Sequence, residues 1–296
     1  MGIKVGIGPD SWGVWYPDQP NQVPWQRFLD EVVEAGYDWI ETGPYGYLPT
    51  DPQTLRKEIN RRNLKVTATT VMKGHLDNPS HWPQIEKEVL RVGELGANLG
   101  AKYLVLIDDN YIDLLSGKQV AAPELDDSGW KRLTEATHRA ADMVRKRFDL
   151  QLTFHPNAET HVETEEHIEK LLEHTDPTLV SFCLDTGHLA YTGGDPVTFM
   201  RKHHERIPYL HLKDVDADKL NRVRAEGLPM VEATNIGVFC EPGEGVVDFE
   251  ALHELLGEIG YEGWVTVEQD MYQPPVDRPL PIAKRTRAYL RTIGIG

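Results

Sequence analysis

The sequence predicts an α/β protein folded as a single (β/α)8 TIM barrel, one catalytic domain over residues 1–296, and three observations lead there. Short β-branched runs alternate along the whole chain with segments of helical periodicity, the pattern of repeated βα units. There are eight such runs, the number that closes a barrel. The first run lacks the phosphate turn of a doubly wound open sheet, because Gly6-Ile7-Gly8-Pro9-Asp10 has no third glycine and no helix directly behind it.

The predicted strands are Lys4–Ile7, Trp39–Glu41, Val66–Val71, Tyr103–Ile107, Gln151–Phe154, Ser181–Leu184, Tyr209–Leu212 and Trp264–Val267. Between them, Trp82, Ile85, Val89, Val92, Leu95 and Leu99 recur every three or four residues behind the start signal Asn78-Pro79-Ser80. Further helices are predicted over Pro24–Ala35, Asp51–Arg61, Gly129–Arg147, Thr164–His174, Pro196–His204, Asp248–Ile259 and Pro281–Thr292. Gly36 and Gly260 fall just past helix ends, where glycine adopts the left-handed cap conformation. The longest irregular stretch, around Glu232–Val247, reads as an active-site loop.

Composition narrows the function. A hydrophobic fraction of 40% with 26% charged residues is ordinary for a globular protein. Thirty-one basic against 47 acidic residues give a formal charge of −16, which repels a phosphate backbone and excludes nucleic acid as a partner. No apolar stretch approaches the ~20 residues of a membrane span, and the N-terminus enters a strand-like run directly, so a cytoplasmic protein without membrane contact is expected. Cys183 and Cys240 lack a CxxC spacing and read as reduced thiols. Self-association into a homo-oligomer is left open.

In such a barrel the residues at the C-terminal strand ends share one cavity. Here they are Asp10 and Trp12, Glu41, Lys73 and His75, Asp108-Asp109, His155 to Glu159, Asp185 to His188, His211 to Asp214, and Glu268-Gln269-Asp270. Carboxylates and imidazoles converging on one mouth form a ligand set for a divalent cation such as Mn²⁺, Co²⁺ or Zn²⁺. Glu41, Trp12, His75 and Asn157 are placed to bind substrate there, with Trp15 and Tyr45 as further aromatic wall.

Phe154-His155-Pro156, Cys183-Leu184-Asp185-Thr186-Gly187-His188, Tyr209-Leu210-His211-Leu212-Lys213-Asp214-Val215, Glu241-Pro242-Gly243-Glu244-Gly245 and Val265-Thr266-Val267-Glu268-Gln269-Asp270 together resemble the xylose-isomerase-like barrel superfamily. Within it they look like the inosose dehydratases and their sugar isomerase and epimerase relatives. The resemblance implies one divalent metal ion held from four strands. Asp185, His211 and Glu268 match three positions, and the first is His155, where isomerases and epimerases often carry glutamate, with Glu159 as the alternative. It also implies a small keto-sugar or keto-polyol substrate whose α-proton the metal acidifies, through an enediolate. Glu268 is then the base, and Lys213 or His188 gives a proton to the departing or shifting oxygen. Dehydration of a cyclic keto-polyol is the reading favoured by His155, since an epimerase needs two matched carboxylates; isomerisation or epimerisation of a keto-sugar is the alternative.

Overall fold

The computed structural model describes residues 2–296. Its strands β1 (Lys4–Ile7), β2 (Trp39–Glu41), β3 (Lys65–Met72), β4 (Tyr103–Ile107), β5 (Gln151–Phe154), β6 (Val180–Asp185), β7 (Tyr209–Leu212) and β10 (Trp264–Val267) pair in parallel and close a barrel in the order β1-β10-β7-β6-β5-β4-β3-β2. The predicted barrel therefore stands, with β3 and β6 one residue longer at each end than their β-branched runs. Two further short strands, β8 (Asp214–Val215) and β9 (Phe239–Cys240), form an antiparallel hairpin beside it.

The helices α1 (Trp25–Glu34), α2 (Pro52–Asn60), α3 (Trp82–Leu99), α4 (Asp127–Phe148), α5 (Glu165–His174), α7 (Pro196–His203), α10 (Phe249–Glu258) and α11 (Pro279–Thr292) match the predicted segments to within a few residues. Each buries an apolar stripe; in α3 it is Ile85, Val89, Val92 and Leu95. Gly36 and Gly260 have φ of 86° and 65°, the left-handed caps their positions called for. Three helices were not foreseen. The short α6 (Thr186–Thr192) leaves β6 directly, and α8 (Ala217–Glu226) and α9 (Met230–Asn235) fill the segment after β8. The stretch read as one irregular loop thus holds part of α9 and all of β9. Its polar composition masks a helix of six residues, too short for periodicity to register.

Inside the barrel, below the mouth, Ala68, Tyr103, Val105, Cys183 and Tyr209 pack together, with Trp264 and Ile107 against them. The Tyr209 hydroxyl is satisfied there by Thr67 at 2.8 Å, Thr266 at 2.6 Å and Glu41 Oε2 at 2.9 Å. This layer closes the barrel beneath the site and carries its polar support.

Asp214 fixes the loop after β9. Its buried carboxylate accepts N–H bonds from Gly243 and Gly245 at 2.9 Å, Val247 at 3.0 Å and Val215 at 2.8 Å. Burial still raises its pKa, against those four amides. A Cβ at Gly245 would collide with Asp214 Oδ1 and the Val215 carbonyl, neither of which can swing aside. Gly245→Ala is therefore expected to destabilise the protein by about 1–3 kcal/mol, read as a lower urea midpoint; an unchanged midpoint would show that this loop lies outside the cooperative fold.

Candidate functional site

The site is built where β5, β6, β7 and β10 end. Strand β6 runs through Asp185, which pairs in register with His211 of β7 and also caps α6. Capping divides the work of its two oxygens: Oδ1 accepts the His188 N–H at 2.8 Å, while Oδ2 turns into the barrel. There it lies 3.0 Å from Lys213 Nζ, 3.5 Å from His155 Nε2 and 3.9 Å from His211 Nδ1.

His211 is oriented from below. Its Nε2 lies 2.9 Å from Glu41 Oε2, and Glu41 is held in turn by the hydroxyls of Tyr209 and Thr70. An Nε2–H donated to Glu41 leaves the Nδ1 lone pair facing the mouth, 2.9 Å from Glu268 Oε2 but off the line of a hydrogen bond. His155 is 1% exposed and neither ring nitrogen has a hydrogen-bond partner; Asp185 Oδ2 is also without one. One ligand atom from each of His155, Asp185, His211 and Glu268 falls within 4.8 Å of the others. Buried imidazole nitrogens and a carboxylate oxygen left without hydrogen-bond partners, converging with Glu268 on one point, fit a divalent cation.

Lys213 stands beside this cluster at 1% exposure. Its Nζ lies 2.8 Å from Asp270 Oδ2, 3.0 Å from Asp185 Oδ2, 3.0 Å from His188 Nε2 and 3.5 Å from Glu268 Oε2. Burial works against the charged ammonium, yet Asp185, Asp270 and Glu268 hold its pKa well above the ordinary value. Against the pull of burial, Lys213 holds Asp185 well below the carboxylate range, and His211 followed by Lys213 brings Glu268 down to about 2. Burial and the neighbouring ammonium push His188 well down, so its imidazole is neutral. Gly187 is required here, because any Cβ would run into the Lys213 stem.

The remaining predicted site residues are placed elsewhere or otherwise. Trp12 is 2% exposed and packs edge-on against Phe28, its indole N–H donating to Glu31 at 2.6 Å; it belongs to the core and not to a substrate wall. Glu41 is 2% exposed and bonded to His211 and Tyr209, so its carboxylate stands behind the histidine and not at an open face. Asn157 donates to the Ala158 carbonyl at 2.9 Å and orders the loop after β5. Tyr45 is half-buried against the hydrophobic core, with Arg91 over its ring. Glu159, the alternative first ligand, points away from the cluster: Oε1 accepts the Met230 N–H at 2.7 Å. His75 lies with Asp77 and His161 in a second convergent trio, but both His161 nitrogens are engaged, by Asp108 at 2.6 Å and the Ala122 carbonyl at 3.0 Å, and the trio clamps loops.

Two site residues carried no role in the sequence reading. Asp10 and Asp270 join Glu268 around Lys213, and burial followed by the charge of neighbouring carboxylates raises Asp10 well above its ordinary pKa. Burial likewise raises Asp270, against the pull of Lys213. Their strand-end positions were visible; their convergence on one lysine was not.

The xylose isomerase-like TIM barrel family matches residues 29–293. The chain belongs to this family. It is 30% identical over 294 residues to an inosose dehydratase of Lacticaseibacillus casei, covering 98% of this chain and 97% of that one. It is 32% identical over 294 residues to an inosose dehydratase of Geobacillus kaustophilus, covering 97% and 94%. A crystal structure of the IOLI protein with a bound zinc atom shares the fold at a TM-score of 0.69, with 17% identity and 98% of both chains covered. Among the described residues no helix is long and apolar enough to cross a membrane.

Two outcomes follow for this xylose isomerase-like barrel. Glu41→Gln is expected to lower Mn²⁺ affinity by roughly 10–100-fold, as loss of a carboxylate behind a ligating histidine does; calorimetric titration giving an unchanged affinity would detach Glu41 from the site. Burial, then the nearby Glu163, raises Glu159 from 4.5 to about 7, against the Met230 N–H. Between those values the folded chain holds a proton that the unfolded chain has lost, so its stabilisation is full below pH 4.5 and declines towards pH 7. Glu159→Gln should flatten that decline in urea unfolding measured across the window, and an unaltered slope would assign it to another group.

Proposed function

We propose that the protein is a divalent-metal-dependent dehydratase of a cyclic keto-polyol, of the inosose dehydratase type. The observation that carries this reading is the asymmetry of the site: a carboxylate, Glu268, faces a lysine ammonium, Lys213, at 3.5 Å, and imidazole occupies the first ligand position. Proton abstraction and departure of a hydroxyl need one base and one distinct acid, whereas inversion at a carbon needs matched bases on two faces. The full-length identity to relatives named inosose dehydratase supports the substrate class.

His155, Asp185, His211 and Glu268 would hold the cation. When bound it supplies a Lewis acid that acidifies the proton next to the substrate carbonyl. Glu268 accepts that proton while the C–H electron pair moves toward the carbonyl to give the substrate enolate, and in a following step that pair forms the new C=C bond as the neighbouring C–O bond breaks. Lys213 donates a proton to the departing oxygen, which leaves as water. Return of the proton from Glu268 to Lys213, across their 3.5 Å separation, restores both groups. His188 is neutral and accepts from Lys213, so it positions the acid and is not itself the donor. Closure of this chemistry inside a buried site strengthens each charge interaction.

The test is solvent-deuterium exchange beside product formation, with Mn²⁺-loaded protein and a panel of keto-polyols including inosose. The wild type should both exchange and eliminate, giving a new ultraviolet band for the conjugated product. Lys213→Met should slow elimination by about 10²–10⁴-fold while deuterium still enters recovered substrate. Equal loss of both processes would remove Lys213 from proton donation, and interconversion of two keto-sugars with no elimination would replace the dehydratase by an isomerase or epimerase.

A further inference from the structure

We infer that Asp10 is a substrate-binding residue, whose carboxyl pairs with a ring hydroxyl of the polyol on the Glu268 side of the mouth. The inference rests on the proposed cyclic keto-polyol as substrate, and it adds strand β1 to β5, β6, β7 and β10 at the site.

Backbone geometry delivers the carboxyl there. Strand β1 is the neighbour of β10 in the closed barrel, Ile7 pairs in register with Val267, and the Gly8 N–H donates to the Val267 carbonyl at 3.1 Å. Gly8 therefore stands beside Glu268, and its missing side chain leaves open the space that an Asp10 oxygen enters. A Cβ on Gly8 would collide with Asp10 Oδ1 and come within 3.5 Å of Glu268 Oε1, so the two carboxyl groups converge over one glycine. The chain reaches this position through a single 3₁₀ turn, Pro9–Trp12, closed by the Gly13 N–H on the Asp10 carbonyl at 2.8 Å. Neighbours on both sides pin the turn. Pro9 packs against Gly43, where no Cβ would fit, and Ser11 Oγ accepts the Gln269 N–H at 3.0 Å.

None of this employs the Asp10 carboxyl, and its Oδ2 is buried without a hydrogen-bond partner. Other acids at strand ends are engaged by the protein itself: Glu41 by His211 and Tyr209, Asp108 by the Leu76 N–H at 2.7 Å and His161 at 2.6 Å, and Asp109 by the Gly74 N–H at 3.0 Å. A buried polar atom without a partner is costly to a folded chain, and one held at a binding mouth is satisfied by the ligand. The Cβ–Cγ torsion of aspartate is soft, so either oxygen can be turned to a bound hydroxyl. A hydroxyl both donates and accepts, and so meets the carboxyl with or without its proton. An anionic group in its place would face Asp10, Glu268 and Asp270 together, which restricts this side of the ring to neutral substituents.

The experiment measures equilibrium binding by calorimetry on full-length, Mn²⁺-loaded protein. The ligands are inositol, whose ring has no carbonyl and does not react, and its monodeoxy derivatives. Wild type should bind one deoxy ring about 10–100-fold more weakly than inositol, the loss of a hydrogen bond to a charged group. Asp10→Ala should bind inositol about as weakly as wild type binds that ring and lose nothing further on the same deletion, while deletions elsewhere cost it as much as they cost wild type. Circular dichroism checks that the variant is folded; should it misfold, Asp10→Ser, whose hydroxyl falls short of the carboxyl's reach, serves in its place. A variant that loses as much as wild type on every deletion overturns the assignment of Asp10 and leaves the substrate class standing. Wild type that binds no inositol overturns both. The coupling found in a protein that eliminates water from no inosose supports Asp10 and removes the dehydratase.

Discussion

An ammonium group buried at 1% exposure is costly unless carboxylates and hydrogen-bond acceptors enclose it, and the upper barrel is organised around that requirement for Lys213. Asp185, Asp270 and Glu268 come from two different strand ends and meet only because the sheet closes. His188 reaches the ammonium because α6 starts on Asp185 without an intervening loop, and α6 lies close to Lys213 because residue 187 is glycine. The short helix, the cap and the glycine are thus one arrangement serving one charge. Removal of any carboxylate would leave the lysine less fully paired in a place water scarcely reaches.

Below this charge lies a second tier whose function is direction. Glu41, Tyr209, Thr67, Thr70 and Thr266 share hydrogen bonds, and their single upward connection is Glu41 to His211. A histidine ligand is only as well defined as its tautomer, and the carboxylate behind it fixes the tautomer. This accounts for a fully buried acid at the end of β2 that turns to a tyrosine hydroxyl and an imidazole. Distance along the chain hides the relation, since Glu41 and His211 are 170 residues apart.

The barrel was legible because alternation of β-branched and helical segments is a local property, repeated unit by unit, and the strand bounds followed it closely. The convergence of His155, Asp185, His211 and Glu268 was legible for a related reason: a strand end in a parallel barrel has one place to go. Trp12 shows where that reasoning stops. It stands at a strand end, but a tight turn, with Gly13 in the left-handed region at φ 76°, leads it down against Phe28 and Glu31. Asn157 likewise satisfies a backbone carbonyl first, as asparagines in loops do. The missed helices α6, α8 and α9 are short or polar, and they form because tertiary contacts compensate what propensity does not supply.

Charge balance links the two tiers to the cation. Around Lys213 stand Asp10, Asp185, Glu268 and Asp270, four carboxyl groups against one fixed positive charge. Asp185 and Glu268, lowered in pKa, are the two that face the imidazoles, whereas burial, with like charges beside them, raises Asp10 and Asp270. A divalent ion among His155, Asp185, His211 and Glu268 would offset the same excess by direct charge. The excess of carboxyl groups over positive charge is what fits this cluster to a cation, while Lys213 keeps one face of it positive.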